Sequence, residues 1–145
     1  MKKAFLTLLL GVAATVVLHA QDYGWGVGVR LGAYDSGVSA KYNFNSAASM
    51  EALLSFTYSN ETLLTALYER NIPVIDRGFT FYYGCGAHIG GNRHLLLGAD
   101  GIAGLEYHLP NVPLAFSLDY KPSLDLFSSM KPHFDNFGLG IKVTF

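Results

Sequence analysis

Apolar residues alternate with polar residues or glycine along most of the chain, and this period of two limits the fold more than any other feature of the sequence. No segment shows a convincing helical period. We therefore predict an all-β chain of eight antiparallel strands connected in up-and-down order. Residues that favour turns, such as glycine, proline, asparagine and aspartate, separate the strands. The alternating segments are 23–33, 37–44, 49–58, 62–70, 79–89, 98–109, 113–121 and 134–145.

The two faces of these strands differ in composition, and the difference indicates which face is inside. Only 14% of the 145 residues are charged, against about 25% in an ordinary soluble domain. The polar face is rich in glycine, as a crowded barrel interior requires, whereas a solvated sheet would carry more charge. Aromatic residues of the apolar face lie near the strand ends, as they do at membrane interfaces. They are Tyr23, Trp25, Tyr42, Phe44, Tyr68, Phe79, Tyr107 and Phe145 toward one rim, and Tyr58, Tyr120 and Phe137 toward the other.

These features predict a transmembrane β-barrel whose apolar face points outward into lipid. A membrane-spanning strand needs about 9–11 residues, so eight strands with short connections account for the chain after its first twenty residues. Because lipid offers no hydrogen-bond partner, the sheet must close on itself. An even number of strands then brings both termini to the same side of the membrane.

The inward face of such a barrel would carry charges of both signs. Isolated buried charges are very costly, so we expect these side chains to pair across the lumen. An eight-stranded barrel is just wide enough for its interior to be filled by side chains. We therefore predict a filled lumen without an open pore, with a proton or ion path through the same groups as the alternative. The predicted network is Arg30, Lys41, Glu51, Glu69, Asp100, Glu106, Asp119, Lys121 and Lys142.

The first twenty residues have the pattern of a secretory signal peptide. Lys2 and Lys3 precede a mostly apolar run that ends at Ala20, and Gln21 follows. The run is too short for a membrane anchor. We predict cleavage between Ala20 and Gln21, which leaves one barrel domain over 21–145. The net charge of −1 does not favour a nucleic acid partner, and one cysteine excludes an intramolecular disulfide.

The last strand resembles the C-terminal targeting strand of bacterial outer-membrane barrels. Gly140, Val143 and the terminal Phe145 match that pattern, whereas Gly138 stands where a polar residue is usual. The chain as a whole resembles small eight-stranded outer-membrane β-barrels of the OmpA/OmpX type. This resemblance implies an outer-membrane location, contact with outer-membrane lipid, and the barrel-assembly machinery and periplasmic chaperones as partners during biogenesis. It implies no activity. We expect Gly138→Ser to be mild.

The sequence contains no pattern that specifies catalysis, a cofactor or a metal. His88, His94, His108 and His133 lack the spacing of metal ligands. Ser123, Ser128 and Ser129 lie near His133, but no local motif sets a base against a serine hydroxyl. We interpret Cys85 as a small lipid-facing residue. We therefore predict no catalytic, cofactor-binding or metal residue.

These predictions favour a structural or surface-interaction role in the outer membrane. A lipid-modifying outer-membrane enzyme and a secreted or periplasmic barrel that binds an apolar ligand remain open alternatives, because fold does not fix function. The connection Ser123–His133 contains Leu124, Leu126, Phe127 and Met130. Its apolar side chains either form a binding surface, or fold over the barrel mouth or rest in the lipid headgroups. The sequence does not identify an extracellular partner.

Overall fold

The computed structural model describes residues 24–75, 78–127 and 132–145. These residues form ten β-strands, and among them no helix is long and apolar enough to cross a membrane. The predicted signal peptide, its cleavage site at Ala20 and Gln21, and the side chain of Tyr23 lie outside the described residues. The strands are β1 (Trp25–Gly32), β2 (Asp35–Asn45), β3 (Ala48–Thr57), β4 (Thr62–Ile75), β5 (Phe79–Gly91), β6 (Leu96–His108), β7 (Leu114–Tyr120), β8 (Ser123–Asp125), β9 (Pro132–His133) and β10 (Phe137–Thr144).

All the strands belong to one antiparallel sheet that closes on itself. Going around the barrel, the order is β5, β4, β3, β2, β1, β10, β7 and β6, and β6 pairs with β5 to complete the circle. β8 continues β7 along β6, and β9 precedes β10, so the ten strands of the described chain form eight barrel strands. The backbones of Trp25 and Phe145 exchange two hydrogen bonds of 3.0 and 2.9 Å where the chain ends meet. The prediction of a closed eight-stranded barrel is confirmed.

The barrel has two ends that differ in their connections. Trp25 and Phe145 lie at what we call the terminal end, together with the connections that follow β2, β4 and β6. The connections that follow β1, β3, β5 and β8 lie at the opposite end, which we call the distal end. The turn after β1 consists of Ala33 and Tyr34 alone.

Burial alternates along the strands with the predicted polarity. In β3, Leu54 is 41% exposed on the outer face while its neighbour Leu53 is 2% exposed on the inner face. In β10, Leu139 and Ile141 are exposed, and Gly138, Gly140 and Lys142 between and beside them are buried. Apolar side chains therefore cover the outside of the barrel and most polar side chains face the lumen, which is the reverse of a soluble protein.

Three apolar residues that interrupt the polar face in the sequence also point inward. Leu67 of β4, Tyr82 of β5 and Ile102 of β6 are buried and contact one another. Leu63 of β4 is buried as well. The alternation of β4 is weak in the sequence because Leu63 and Leu67 share the inner face with the polar Thr65 and Glu69.

The predicted connection between the segments 113–121 and 134–145 is shorter in the structure, because part of it forms β8 and β9. The alternation of β7 continues past Pro122, so that Ser123 and Asp125 face inward and Leu124 faces outward. β8 pairs with β6 on one side and with β9 on the other. Proline lacks an N–H and interrupts the strand locally, but the Pro122 carbonyl still accepts a hydrogen bond from Gly101 N at 2.9 Å.

Candidate functional site in the barrel lumen

The structure places each of the nine charged residues predicted for the lumen on the inner face. None of them is more than 5% exposed. Their side chains fall into groups at three places along the lumen. Arg30, Asp119 and Lys121 lie toward the distal end. Asp100 of β6 belongs to a separate group near that end, which contains two histidines. The group at the terminal end consists of Lys41, Glu51, Glu69, Glu106 and Lys142.

Asp35 is the centre of the distal group, which we call the distal network. Its carboxylate is fully buried and accepts hydrogen bonds from Arg30 at 2.9 Å and from Lys121 at 2.9 Å. Ser55 and Asn136 donate further hydrogen bonds to it at 2.8 and 2.7 Å. The side chains that meet at Asp35 come from β1, β3 and the two chain segments that flank the β8–β9 hairpin. The Asp35 carboxylate therefore links side chains from opposite parts of the barrel wall at this level.

Arg30 extends the distal network to a second carboxylate. Its Nη2 and Nε atoms lie 2.6 and 3.0 Å from Oδ1 of Asp119, while Nη1 binds Asp35. The planar guanidinium suits this use because its donors point to two partners in fixed directions. Arg30 thus joins β7 to β2 across the lumen.

The terminal network alternates cations with carboxylates. Lys41 Nζ lies 2.9 Å from Glu69 and 3.8 Å from Glu106. Lys142 Nζ lies 3.1 Å from Glu51 and 3.4 Å from Glu106. Each ammonium is therefore between two carboxylates, which is the arrangement that limits the cost of burying charge.

Tyr82 connects the two networks across the middle of the lumen. Its hydroxyl donates to Asp119 at 3.4 Å, and Lys41 Nζ lies 4.4 Å from the centre of its ring. The ring is 1% exposed and packs against Leu67 and Ile102. This aromatic and apolar layer lies in the lumen between the two charged networks.

A third group contains two histidines at the distal end. His88 Nδ1 lies 2.8 Å from Asp100 and His88 Nε2 lies 2.9 Å from Asp125. His133 on β9 lies 3.3 Å from the other oxygen of Asp125, and its ring stacks on Tyr34 with the centroids 4.1 Å apart. Burial, together with the nearby carboxylate of Asp125, raises the pKa of Tyr34 to about 12.

Glycines on the inner face let long side chains reach across a neighbouring strand. A Cβ atom at Gly138 would lie 2.5 Å from the guanidinium of Arg30, and one at Gly104 would lie 2.7 Å from the Tyr82 hydroxyl. A Cβ at Gly98 would lie 2.3 Å from the His88 ring. Each of these side chains crosses the glycine to reach an aspartate on the next strand. The expectation that Gly138→Ser is mild is therefore wrong, because the buried Arg30 cannot move away without leaving its carboxylates.

Among the described candidate catalytic residues, Ser123 and His133 are brought together as register partners on β8 and β9, and the His133 ring contacts Asp125 at 3.3 Å. Both ring nitrogens of His88 face carboxylates rather than a hydroxyl. His94 is in the exposed turn after β5, and His108 contacts Glu106 at the terminal end. Ser128 and Ser129 lie outside the described residues, as does Met130. Over 24–75, 78–127 and 132–145, no three His, Cys, Asp or Glu side chains are arranged to hold a metal ion.

Gly140, Val143 and Phe145, which match the pattern of the targeting strand, lie at the end of the chain where β10 pairs with β1. Gly140 faces the lumen against Ser117, and Phe145 is 46% exposed at the terminal end. Val143 pairs with Val27 of β1. Cys85 is exposed on the outer face of β5.

Sequence reasoning missed Asp35 and Asp125 as members of the lumen networks, although a signal for both was present. Asp35 has the same parity as the inward Ser39 and Lys41, and Asp125 has the same parity as Asp119. One predicted strand began at 37 and another ended at 121, so neither Asp35 nor Asp125 was assigned to the inner face. Extending each alternation until it failed would have included them.

Comparison with known proteins identifies the fold. No family model matches the chain, and no curated protein sequence matches it. The N-terminal β-barrel domain of Pseudomonas aeruginosa OprF superposes with a TM-score of 0.73 at 14% identity, over 86% of this chain and 100% of that one. A de novo designed transmembrane β-barrel gives 0.67 at 17% identity, over 86% and 98%. Neisserial surface protein A gives 0.52 at 11% identity, over 83% and 94%. The chain has the fold of the small transmembrane β-barrels, as its resemblance to that group predicts.

Proposed function

We propose that this transmembrane barrel is an integral outer-membrane protein with a structural or surface-contact role, and that its lumen is plugged. The observation that carries the proposal is the distribution of side chains. Residues such as Leu31 and Leu139 are 67% and 62% exposed on the outer face, while Asp35 and Glu69 are fully buried inside. Exposed apolar side chains over a whole sheet face are stable in hydrocarbon and not in water.

The side chains in the lumen support the plugged state. The distal network, the layer around Tyr82 and the terminal network occupy successive levels of the interior. A solute would have to displace ion pairs at both ends, and breaking a buried pair costs roughly 3–5 kcal/mol. Conduction of ions through this interior is therefore not part of the proposal.

The outer membrane is the location that the fold and the terminal strand favour. Structures similar to this chain include the OprF barrel domain and Neisserial surface protein A. The predicted signal peptide would deliver the chain to the periplasm. Periplasmic chaperones and the barrel-assembly machinery would then act on the strand that contains Gly140, Val143 and Phe145. Outer-membrane lipid would cover the exposed apolar outer face, and the proposal includes no nucleic acid partner.

The alternatives gain no support from the described residues. A barrel that binds an apolar ligand would need an apolar interior, whereas the inner face here carries the charged networks. A lipid-modifying enzyme would need a hydroxyl activated by a base. His88 contacts two carboxylates, and the ring of His133, which lies beside Ser123, contacts Asp125.

Planar-bilayer conductance of the purified barrel tests the plugged lumen. We expect no stable channel from the unchanged protein. The triple variant Arg30→Ser/Tyr82→Ala/Lys142→Ser removes one side chain from each network and the one that bridges them, so it should conduct. Arg70→Ser is the matched control, because Arg70 is exposed on the outer face of β4. Large channels in the unchanged protein would overturn the plugged lumen, and recovery of the protein in the soluble fraction without detergent would overturn the membrane assignment.

A further inference from the structure

The terminal network contains more carboxylates than cations. Lys41 and Lys142 face three glutamates, which are Glu51, Glu69 and Glu106. The distal network is balanced, because two cations there meet two aspartates. None of the three glutamates is more than 4% exposed. One negative charge is therefore in excess at a buried place, where a charge without a partner is very costly.

Glu69 is the glutamate of this network with an unsatisfied oxygen atom. Its Oε2 atom lies 2.9 Å from Lys41 Nζ and accepts a hydrogen bond from Ser49 Oγ at 3.3 Å. Its Oε1 atom is buried and has no hydrogen-bond partner. Within the described chain, Lys41 is the one cation within ion-pair distance of Glu69. An ionised carboxylate only accepts hydrogen bonds, so ionisation of Glu69 leaves a buried acceptor without a donor.

Glu51 brings a second carboxyl group to the same place. The two glutamates come from adjacent strands, since Glu51 pairs with Leu67 and Ser49 pairs with Glu69 in the register of β3 and β4. Their carboxyl groups are close enough for one to donate a hydrogen bond to the other. Two ionised carboxylates at this separation repel each other and have no hydrogen atom to share. One proton removes the repulsion and supplies the missing donor.

The other charged and titratable groups of the terminal network do not take the place of that proton. Lys142 lies 3.1 Å from Glu51 and 3.4 Å from Glu106, so its charge is already divided between two carboxylates. His108 lies at the partly exposed end of β6 and contacts Glu106 at 3.2 Å. Glu106 is outside the pair formed by Glu51 and Glu69. A charge on His108 would therefore act on the third glutamate.

The polar groups on the strands beside Glu69 are engaged elsewhere. On β5 its register partner is Gly84, which has no side chain. The Tyr82 hydroxyl, also on β5, donates its hydrogen bond to the distal network. The Asn71 amide on β4 donates to Ser49 at 3.2 Å. The described strands next to Glu69 thus contain the acceptor, Glu51, but no donor for the free oxygen.

We infer that Glu51 and Glu69 form a proton-binding site, in which the pair holds one proton and the neutral carboxyl donates a hydrogen bond to the ionised one. The terminal network then contains two cations and two negative charges, as the distal network does. Glutamate in an unfolded chain is ionised above about pH 5. Unfolding therefore releases the proton, and the stability that the site contributes falls as the pH rises. The site does not depend on whether the lumen is plugged.

Infrared spectroscopy of the purified barrel in lipid vesicles and deuterated buffer tests the site. A protonated carboxyl group has a C=O stretching band that is separate from the band of a carboxylate. At about pH 7 exposed carboxyl groups are ionised, and we expect the unchanged protein to retain a protonated band that disappears as the pH is raised further. Glu69→Gln should abolish this band. Glu51→Gln should abolish it as well, because Glu69 can then ionise beside Lys41 without a like charge. Asp135→Asn is the control, because Asp135 is exposed, and it should leave the band unchanged.

The stability of Glu69→Gln gives a second readout. Glutamine keeps the size of the side chain and carries the donor that a neutral carboxyl group has. At about pH 7 the variant should therefore unfold at nearly the same urea concentration as the unchanged protein. Above the pH at which the infrared band disappears, the variant should be the more stable of the two, because the unchanged protein alone has lost a proton from the pair.

Several results would overturn the inference. One is the absence of a protonated carboxyl band from the unchanged protein at about pH 7, which is also the result expected if a monovalent cation or a water molecule satisfies Glu69. Another is a band that survives in both glutamine variants. A large loss of stability in Glu69→Gln at that pH, or its failure to assemble, would indicate that Glu69 is ionised and paired with Lys41.

Discussion

Asp35→Asn is the sharpest test of how the barrel interior is held together. The change keeps the size of the side chain and removes the charge that Arg30 and Lys121 face at 2.9 Å. Arg30 keeps its second carboxylate, Asp119, at 2.6 Å. Lys121 keeps none, because Asp35 is the one carboxylate that the described residues offer to its ammonium group. The variant therefore leaves one buried cation without a counter-charge.

The expected loss of stability follows from this one unpaired ammonium group. Leaving a buried charge without its partner costs about 3–5 kcal/mol, which is a large share of a typical unfolding free energy of about 5–15 kcal/mol. The variant should still assemble and should unfold at markedly lower urea concentration. Urea titration in lipid vesicles, followed by the fluorescence of Trp25 and by heat-modifiable gel mobility, measures the difference. Asp135→Asn, an exposed carboxylate at the same end, should change stability by less than about 0.5 kcal/mol.

A double-mutant cycle separates the ion pair from general damage at the site. Lys121→Met removes the cation, so in the combination with Asp35→Asn no buried ammonium is left without a partner. The double variant should be more stable than the sum of the two single effects predicts, by about 1–3 kcal/mol. Additive effects, or a loss below about 1 kcal/mol for Asp35→Asn alone, would refute the role given to Asp35.

Three further changes test other parts of the structure. Gly138→Ala should destabilise the barrel by about 1–3 kcal/mol in the same urea titration because its methyl group meets Arg30, while Gly101→Ala, whose methyl group has room, should be close to neutral. Leu139→Arg on the outer face should cost about 2–4 kcal/mol if its position is near the bilayer midplane, and unchanged stability would contradict an outward lipid-facing strand. Deletion of Phe145 should reduce the amount of folded protein in the outer membrane, measured by fractionation and gel mobility, and normal amounts would argue against its part in assembly.

The alternation in the sequence was sufficient to predict the barrel because a period of two assigns every side chain to one face. In β10, the alternation put Leu139 and Lys142 on opposite faces, and the glycine-rich polar face together with the aromatic residues near the strand ends indicated which face is inside. The same rule failed at β4, where Leu63 and Leu67 are apolar on the inner face. Periodicity compares polarity and cannot recognise an inward residue whose neighbours in the lumen are also apolar.

The partners within the lumen could not be predicted in the same way. Which aspartate Arg30 reaches depends on strand tilt and register, and these place Gly138 and Asp119 beside it in β10 and β7. Register is a property of the assembled sheet, and one sequence contains no direct measure of it. The histidine bridge was missed for the same reason, since His88 and Asp125 are 37 residues apart in the chain.

The glycines of the inner face explain how so small a barrel can bury charge at all. The inward side chain of the adjacent strand normally fills the space beside an inward arginine. The arginine therefore cannot reach past that strand to the one after it. At Gly138 and Gly98 that neighbour has no side chain, and the register pairs each of them with an aspartate on the following strand. A pair of charges can therefore span three strands in place of two. The glycine content of the polar face is then a requirement of charge pairing, and a barrel with alanine at these positions would have to move its cations to other strands to remain paired.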